Sequence, residues 1–166
     1  YAYPDSDDLS FYSNLIPDDQ LKPGQKRLLE VDNPLVVPAN TNVRVLVTST
    51  DVIHSWFVPS FGVQEYAIIG RTNESWFNVN APGTYYGECN QICGVNHAFM
   101  PIKVVAMTKP DFEKWLVAAK KEPSKSGEAV KMSEQDKVPT EAPGATISVA
   151  AGDAQPPRGA AAPAGH

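Results

Sequence analysis

The chain predicts an all-β domain, a sandwich or small barrel with one C-terminal helix and a disordered tail. Three observations carry that expectation: short alternating apolar runs, turn residues set between them, and a change of composition near residue 120. Val43, Val45 and Val47 alternate with Arg44, Leu46 and Thr48, a period of two that suits a strand with one face on a core. Similar short runs lie at 28–31, 52–58, 75–79, 84–88 and 102–106. The Pro82-Gly83, Asn33-Pro34 and Val37-Pro38 steps punctuate them. Several strands of this length, with no helix between them, give a sandwich or barrel.

The single helix comes last. Thr108 can cap it, Pro110 suits its first turn, and Asp111 stands three residues after the cap. Phe112, Trp115, Leu116 and Ala119 then share one face, while Lys120 and Lys121 favour the negative end of the helix dipole. That face is expected to pack on the barrel. Beyond it, residues 141–166 contain nine Ala, four Gly and four Pro and offer almost nothing large to bury. The expected organisation is therefore one domain at 1–120 and a disordered tail at 121–166.

Of the 166 residues, 42% are hydrophobic and 20% charged, an ordinary globular balance. The longest stretch free of Asp, Glu, Lys and Arg is the 14 residues from Cys89 to Ile102, which is rich in polar groups. A bilayer crossing needs roughly 20 apolar residues, so no membrane-spanning helix is expected in this segment. The chain opens at Tyr1 without a basic-then-apolar leader, as expected of a mature or excised fragment. A net charge of −5 argues against nucleic acid, whose phosphates require a basic surface, and suits a basic protein partner.

The chemistry is concentrated between Gly87 and Pro101. Both cysteines of the chain, Cys89 and Cys93, lie there four residues apart; His97 follows by four and Met100 by three more. Thiolate, imidazole and thioether form the soft donor set that selects copper over magnesium or calcium. A strand ending near Glu88 and another beginning near Ile102 would frame the loop rigidly. Two other readings stay open at this point. A cysteine pair outside the cytosol often forms a disulfide, which would make this a binding or structural β-domain. Two Cys and two His could also close a zinc site, but zinc gives no role to the methionine. Only three histidines exist. His166 ends the tail, which leaves His54, on a predicted strand 35 residues before Cys89, as the favoured distant ligand. No hydrolytic constellation is visible, and Asp51 near His54 reads as a surface acid or a support for the histidine.

Cys-x-x-x-Cys-x-x-x-His-x-x-Met, with the upstream Val52-Ile53-His54-Ser55-Trp56, closely resembles subunit II of haem–copper cytochrome c oxidases. Leu28-Leu29-Glu30-Val31-Asp32-Asn33-Pro34, Gly70-Arg71-Thr72 and Asn96-His97-Ala98-Phe99-Met100-Pro101-Ile102 add to the resemblance, which covers about residues 1–118. It implies a cupredoxin-like Greek-key barrel holding the binuclear copper centre CuA. By that resemblance Cys89 and Cys93 would bridge two copper ions, with His54 and His97 as terminal ligands. Met100 and the backbone carbonyl of Gln91 would be weaker ligands. Electrons would arrive from cytochrome c and leave for the haem of subunit I, so the chain is expected to act enzymatically only within the oxidase. Nitrous oxide reductase carries a similar copper loop, but the Leu-Glu-Val-Asp-Asn and Met-Pro-Ile matches favour the oxidase.

Two features depart from the family pattern. Glu usually stands where this chain has Gln91, and that carboxylate helps to bind magnesium at the subunit I boundary; a neutral amide is expected to weaken the ion. The family's two transmembrane helices, and a tryptophan-rich stretch after them, precede the point where this chain opens. Membrane attachment is thus expected through helices not in this sequence or through partner subunits. The resemblance implies the periplasmic face of a bacterial inner membrane or the intermembrane-space face of the mitochondrial one. Asp5, Asp7, Asp8, Asp32 and Asp51 are the acids expected to steer a lysine-rimmed cytochrome c, chiefly through association rate and in a salt-sensitive way.

Overall fold

The computed structural model describes residues 1–7, 9–121 and 145–151. In chain order the strands are β1 (Ala2–Tyr3), β2 (Leu9–Ser10), β3 (Leu35–Pro38), β4 (Asn42–Ser49), β5 (His54–Val58), β6 (Val63–Ala67), β7 (Asn73–Asn78), β8 (Gly83–Glu88) and β9 (Pro101–Met107). Helix α1 (Lys109–Lys121) and a last strand, β10 (Ala145–Ala151), follow. They form two five-stranded sheets, ordered β2-β1-β10-β4-β7 and β3-β9-β8-β5-β6. Pairing is antiparallel except for β3 with β9 and β1 with β10.

The period-two reading of β4 holds residue by residue. Val43, Val45 and Val47 are fully buried, Arg44 is exposed, and Leu46 and Thr48 are half-buried. Leu35, Val37, Val58 and Val104 from the second sheet are equally buried. Each such side chain withdrawn from water contributes roughly 1.5–3 kcal/mol, which is what holds the two sheets face to face. Trp56, on β5, joins this core at 1% exposure, its ring stacked 5.5 Å from that of Phe77.

The helix cap is as the spacing requires. Asp111 N–H reaches the Thr108 hydroxyl, which in turn donates to the Asp111 carboxylate at 2.6 Å. Phe112 is buried and stacks on Trp115, whose ring lies 5.6 Å from Tyr3. The same Tyr3 seals the open edge of β3: its hydroxyl accepts from Val36 N–H and donates to Val36 C=O, both at 2.9 Å. A buried strand edge with unpaired amides is costly, and one phenol removes that cost.

Three expectations are corrected. Residues 28–31 form a turn, not a strand: Leu28 has φ +62°, and Val31 makes only an isolated bridge to Leu15. The physical reason is Glu30, buried and paired with Lys103 Nζ and the Tyr86 hydroxyl, contacts that a regular alternation would not supply. The run at 52–58 is strand only from His54, because Val52 and Ile53 are exposed. The expectation of a disordered tail meets one exception: 145–151 pair antiparallel with β4 along its length, Ile147 opposite Val47 and Val149 opposite Val45. Thr146-Ile147-Ser148-Val149 is the part of the tail with an alternating, β-branched pattern. Lys121, the first residue of that predicted segment, closes α1; the rest of the segment, and Asp8, lie outside the described residues.

Candidate metal centre

Two segments meet at one end of the second sheet. β5 opens with His54, and the loop 89–100 runs from the end of β8 to the start of β9. Adjacent pairing of β8 with β5 and β9 sets these pieces side by side, and Phe57 is the register partner of Glu88. The loop is closed at its neck by Cys89 N–H donating to Met100 C=O at 3.2 Å. Its far side is a short 3-10 turn, His97–Phe99, with His97 N–H on Gly94 C=O and Phe99 N–H on Asn96 C=O. Gly94 has φ +123°, a backbone region closed to ordinary side chains, which explains glycine directly after Cys93.

This frame gathers sulfur and nitrogen donors. The sulfurs of Cys89 and Cys93 are 3.8 Å apart and unbonded. A ring nitrogen of His54 and both sulfurs lie within 4.8 Å of one another. Cys93 Sγ is 3.4 Å from His97 Nδ1 and 3.6 Å from Met100 Sδ. The backbone carbonyl of Gln91 lies 3.2 Å from Cys89 Sγ. All six positions singled out in the sequence therefore converge on one cluster. His54 and Cys89 are buried; Cys93, His97, Gln91 and Met100 are half-buried.

The electrostatics favour a cation at this site. Asp51 Oδ1 takes His54 Nε2 at 2.8 Å, and His54 Nδ1 is left buried with no hydrogen-bond partner among the described residues. A buried polar atom without a partner costs about 1–3 kcal/mol, and a metal ion is one group that would remove that cost. Partial burial works against the charged form of Asp51. The Val52 N–H, the His54 ring and the Ser49 hydroxyl outweigh it and hold the carboxyl below its usual range. Burial, the hydrogen bond of the Cys93 thiol with Cys89, and the nearby charges of Cys89 and Asp51 push the Cys93 thiol up to about 11. Two adjacent thiolates are thus unfavourable without added positive charge. The donor set, soft and partly dehydrated, fits copper, and Met100 beside Cys93 has a place that a two-Cys, two-His zinc site would not use.

The acids expected to steer a partner separate into different roles. Asp51 turns inward to His54, so it supports the site rather than forming part of an open rim. Asp7 is paired with Lys120 at 2.7 Å, and Asp32 accepts from the backbone and side chain of Asn14 and from Asn33 N–H. Asp5 is exposed and acts on Arg44 at a distance. Sequence reasoning overlooked the apolar fringe of the two site-forming segments. Ile92 and Val95 are 83% and 97% exposed, and Val52, Ile53 and Phe99 are exposed as well. The available signal was apolar residues following neither a strand nor a helix period inside a polar loop. Ser55, 3.9 Å from the Cys89 sulfur, and Asn90, hydrogen-bonded to Ser55, were also missed.

Known proteins resemble this chain along the same residues. A family model described as cytochrome c oxidase subunit II, periplasmic domain, matches residues 1–107. A probable cytochrome c oxidase subunit 2 of Rickettsia bellii is 50% identical over 133 residues, 80% of this chain and 49% of the relative. The Rickettsia prowazekii counterpart is 51% identical over 121 residues, 73% of this chain and 39% of the relative. The chain thus spans about half or less of the length of these curated relatives. The crystal structure of the periplasmic domain of subunit II of cytochrome oxidase (CoxB) of Bradyrhizobium japonicum superposes with a TM-score of 0.68 at 46% identity, covering 73% of this chain and 84% of that one. A mixed-disulfide intermediate between a thioredoxin-like protein, TlpA, and subunit II of cytochrome c oxidase matches with a TM-score of 0.62 at 45% identity, covering 73% and 82%.

Proposed function

The chain belongs to the cytochrome c oxidase subunit II family, as its periplasmic domain, and from that premise we propose that it is the electron-entry domain of an oxidase, built to hold two copper ions. The observation that carries this reading is His54, with a ring nitrogen within 4.8 Å of two free sulfurs 3.8 Å apart and a buried Nδ1 that has no hydrogen-bond partner among the described residues. Bound here, the copper pair would supply a one-electron carrier whose charge change is spread over two metals and two sulfurs.

The residues have distinct tasks in this scheme. Cys89, Cys93, His54 and His97 would hold the copper pair, and Met100 and the Gln91 carbonyl would be weaker donors. Asp51 holds His54 Nε2 and so leaves Nδ1 free to take a metal ion, the outer contact that commonly fixes the tautomer of a metal-binding histidine. The strands on either side of the loop keep these donors from relaxing when charge changes, and burial of His54 and Cys89 limits water around them. Both effects reduce reorganisation, which is what fast electron transfer requires.

The donor in this proposal is cytochrome c on the periplasmic side, and the acceptor is the haem of subunit I. The exposed apolar residues Ile92, Val95 and Phe99 on the copper loop suit a docked protein better than open solvent. Magnesium is left out, because Gln91 carries a neutral amide where an acid would be needed. A solved neighbour is a mixed disulfide with a thioredoxin-like protein; for this chain we propose that a dithiol protein would attack a Cys89–Cys93 disulfide, pass through such a mixed disulfide, and leave as its own disulfide with Cys89 and Cys93 as two thiols.

Electron paramagnetic resonance of the copper-loaded, reduced-and-reoxidised chain tests the reading. One unpaired electron coupled equally to two copper nuclei, with two coppers per chain, is the expected result. A single-copper pattern, or no uptake by the free thiols, overturns it.

A further inference from the structure

Beside the Cys89 sulfur stands a hydroxyl that no metal ligand role absorbs. Ser55 follows His54 on β5 and is only 4% exposed. Its Oγ accepts a hydrogen bond from Asn90 N–H at 2.8 Å and donates to Asn90 Oδ1 at 2.5 Å. Cys89 Sγ lies 3.9 Å from the same oxygen. On its other side the Asn90 amide donates through Nδ2 to Gln64 Oε1 at 3.0 Å, and Gln64 Nε2 donates to the Tyr66 hydroxyl at 3.1 Å. Two residues of β6 therefore orient the amide, and its oxygen is turned to Ser55.

A serine hydroxyl has one proton to give. Two acceptors compete for it here, and the contact at 2.5 Å takes it from the sulfur at 3.9 Å. With the Asn90 side chain removed, the Cys89 sulfur is the nearest acceptor left among these groups. A hydrogen bond to a metal-bound thiolate withdraws electron density from the sulfur and favours the reduced, more electron-rich state, so it raises the reduction potential.

We propose that Asn90 is a positioning residue that sets the potential of the metal pair by keeping the Ser55 proton off the bridging sulfur of Cys89, with Gln64 orienting its amide. This rests on the two-copper reading. It adds a determinant outside the ligand set, and it assigns a role to the residue between a bridging cysteine and a carbonyl ligand. The same clamp ties the first turn of the copper loop to β5 and β6 before any metal arrives.

The test compares the full chain with Asn90→Ala, Ser55→Ala, the double variant and Gln64→Ala. Copper-loaded samples are titrated by optical spectroelectrochemistry. The expected result is a rise in potential for Asn90→Ala, a smaller rise in the same direction for Gln64→Ala, and no rise for Ser55→Ala. The double variant should return to the Ser55→Ala value, because there is then no proton to redirect. A rise of equal size in Asn90→Ala and the double variant, or no rise in either Asn90→Ala or Gln64→Ala, overturns the proposal while leaving the two-copper reading intact. The metal-free, reduced chain gives an independent readout by amide exchange at residue 90. Losing one hydrogen bond should speed that exchange roughly five- to tenfold in Ser55→Ala but leave it slow in Asn90→Ala. Equal exchange in wild type and Ser55→Ala means the clamp is absent and overturns the proposal. A wild-type chain that lacks the two-copper spectrum overturns the reading and the proposal together.

Discussion

Asp51 Oδ1 lies 2.8 Å from His54 Nε2, and this contact leaves the opposite nitrogen of the ring, Nδ1, buried and without a hydrogen-bond partner among the described residues. Asp51→Asn keeps the shape of the contact but weakens its preference for one tautomer. Copper affinity is expected to fall about 10- to 100-fold with the fold intact, the usual cost of losing an outer-shell partner. Competition against a chelator of known affinity measures it. Unchanged affinity would show that the ring is held by packing alone.

Removing either sulfur should destroy the binuclear site, whereas removing the thioether should not. Cys89→Ser and Cys93→Ser are expected to lose the two-copper spectrum. Met100→Leu should keep it with a changed potential, because Met100 Sδ, 3.6 Å from Cys93 Sγ, is a weaker donor than the two thiolates. A full two-copper signal in Cys93→Ser would remove the bridging role. Gln91→Ala should retain both coppers, since the atom near Cys89 is a backbone carbonyl that alanine also provides.

Metal uptake should strengthen as pH rises. Burial and the adjacent Cys89 raise the Cys93 thiol to about 11, so near neutral pH it is protonated in the metal-free chain. Each proton displaced by the metal makes apparent affinity rise about tenfold per pH unit below that value. Chelator competition at several pH values reads the slope, and a flat profile would contradict it.

Acid stability should depend on Glu30. Burial opposes its charge, but Lys103, the Tyr86 hydroxyl and Lys26 N–H more than compensate and lower its pKa from the ordinary 4.5. A lowered folded value means the stabilisation is complete above about pH 4.5 and is lost as pH falls through the folded value. Glu30→Gln should cost about 2 kcal/mol at neutral pH, less than a fully buried pair because Lys103 is partly exposed, and should flatten the acid limb of the stability curve. Urea unfolding at neutral and acid pH tests both parts.

Gly87 is required by contact rather than by its backbone angles. A Cβ placed there would stand 2.0 Å from the Phe57 carbonyl oxygen, and both groups are main chain. Gly87→Ala must push β8 off β5, at a cost of about 3 kcal/mol, and must also move Cys89 two residues on. A drop in the urea midpoint together with impaired copper loading is expected; wild-type values for both would refute it.

Much of the site was legible because its donors are rare and close in the chain. Two cysteines, a histidine and a methionine within twelve residues are crowded in sequence before any folding occurs. The distant ligand was legible only by elimination, since β5 carries the histidine left after His97 and the tail's His166. β4 and α1 were readable because alternation and capping are local signals. β3 was not: Leu35, Val36 and Val37 sit between two prolines, and their burial comes from the second sheet and from Tyr3, more than 30 residues away. Glu30 misled for a related reason, since its partner Lys103 is 73 residues distant.

By itself the sequence determined which atoms can bind a soft metal, which strand faces its valines inward, and where the helix starts. Those properties follow from side-chain chemistry and from the periods of a strand and a helix. The tertiary structure alone decided that Asp51 faces His54 rather than solvent, that Asn90 intercepts the Ser55 proton, and that Tyr3 seals β3. Such matters turn on distances between segments far apart in the chain, which neither composition nor periodicity contains.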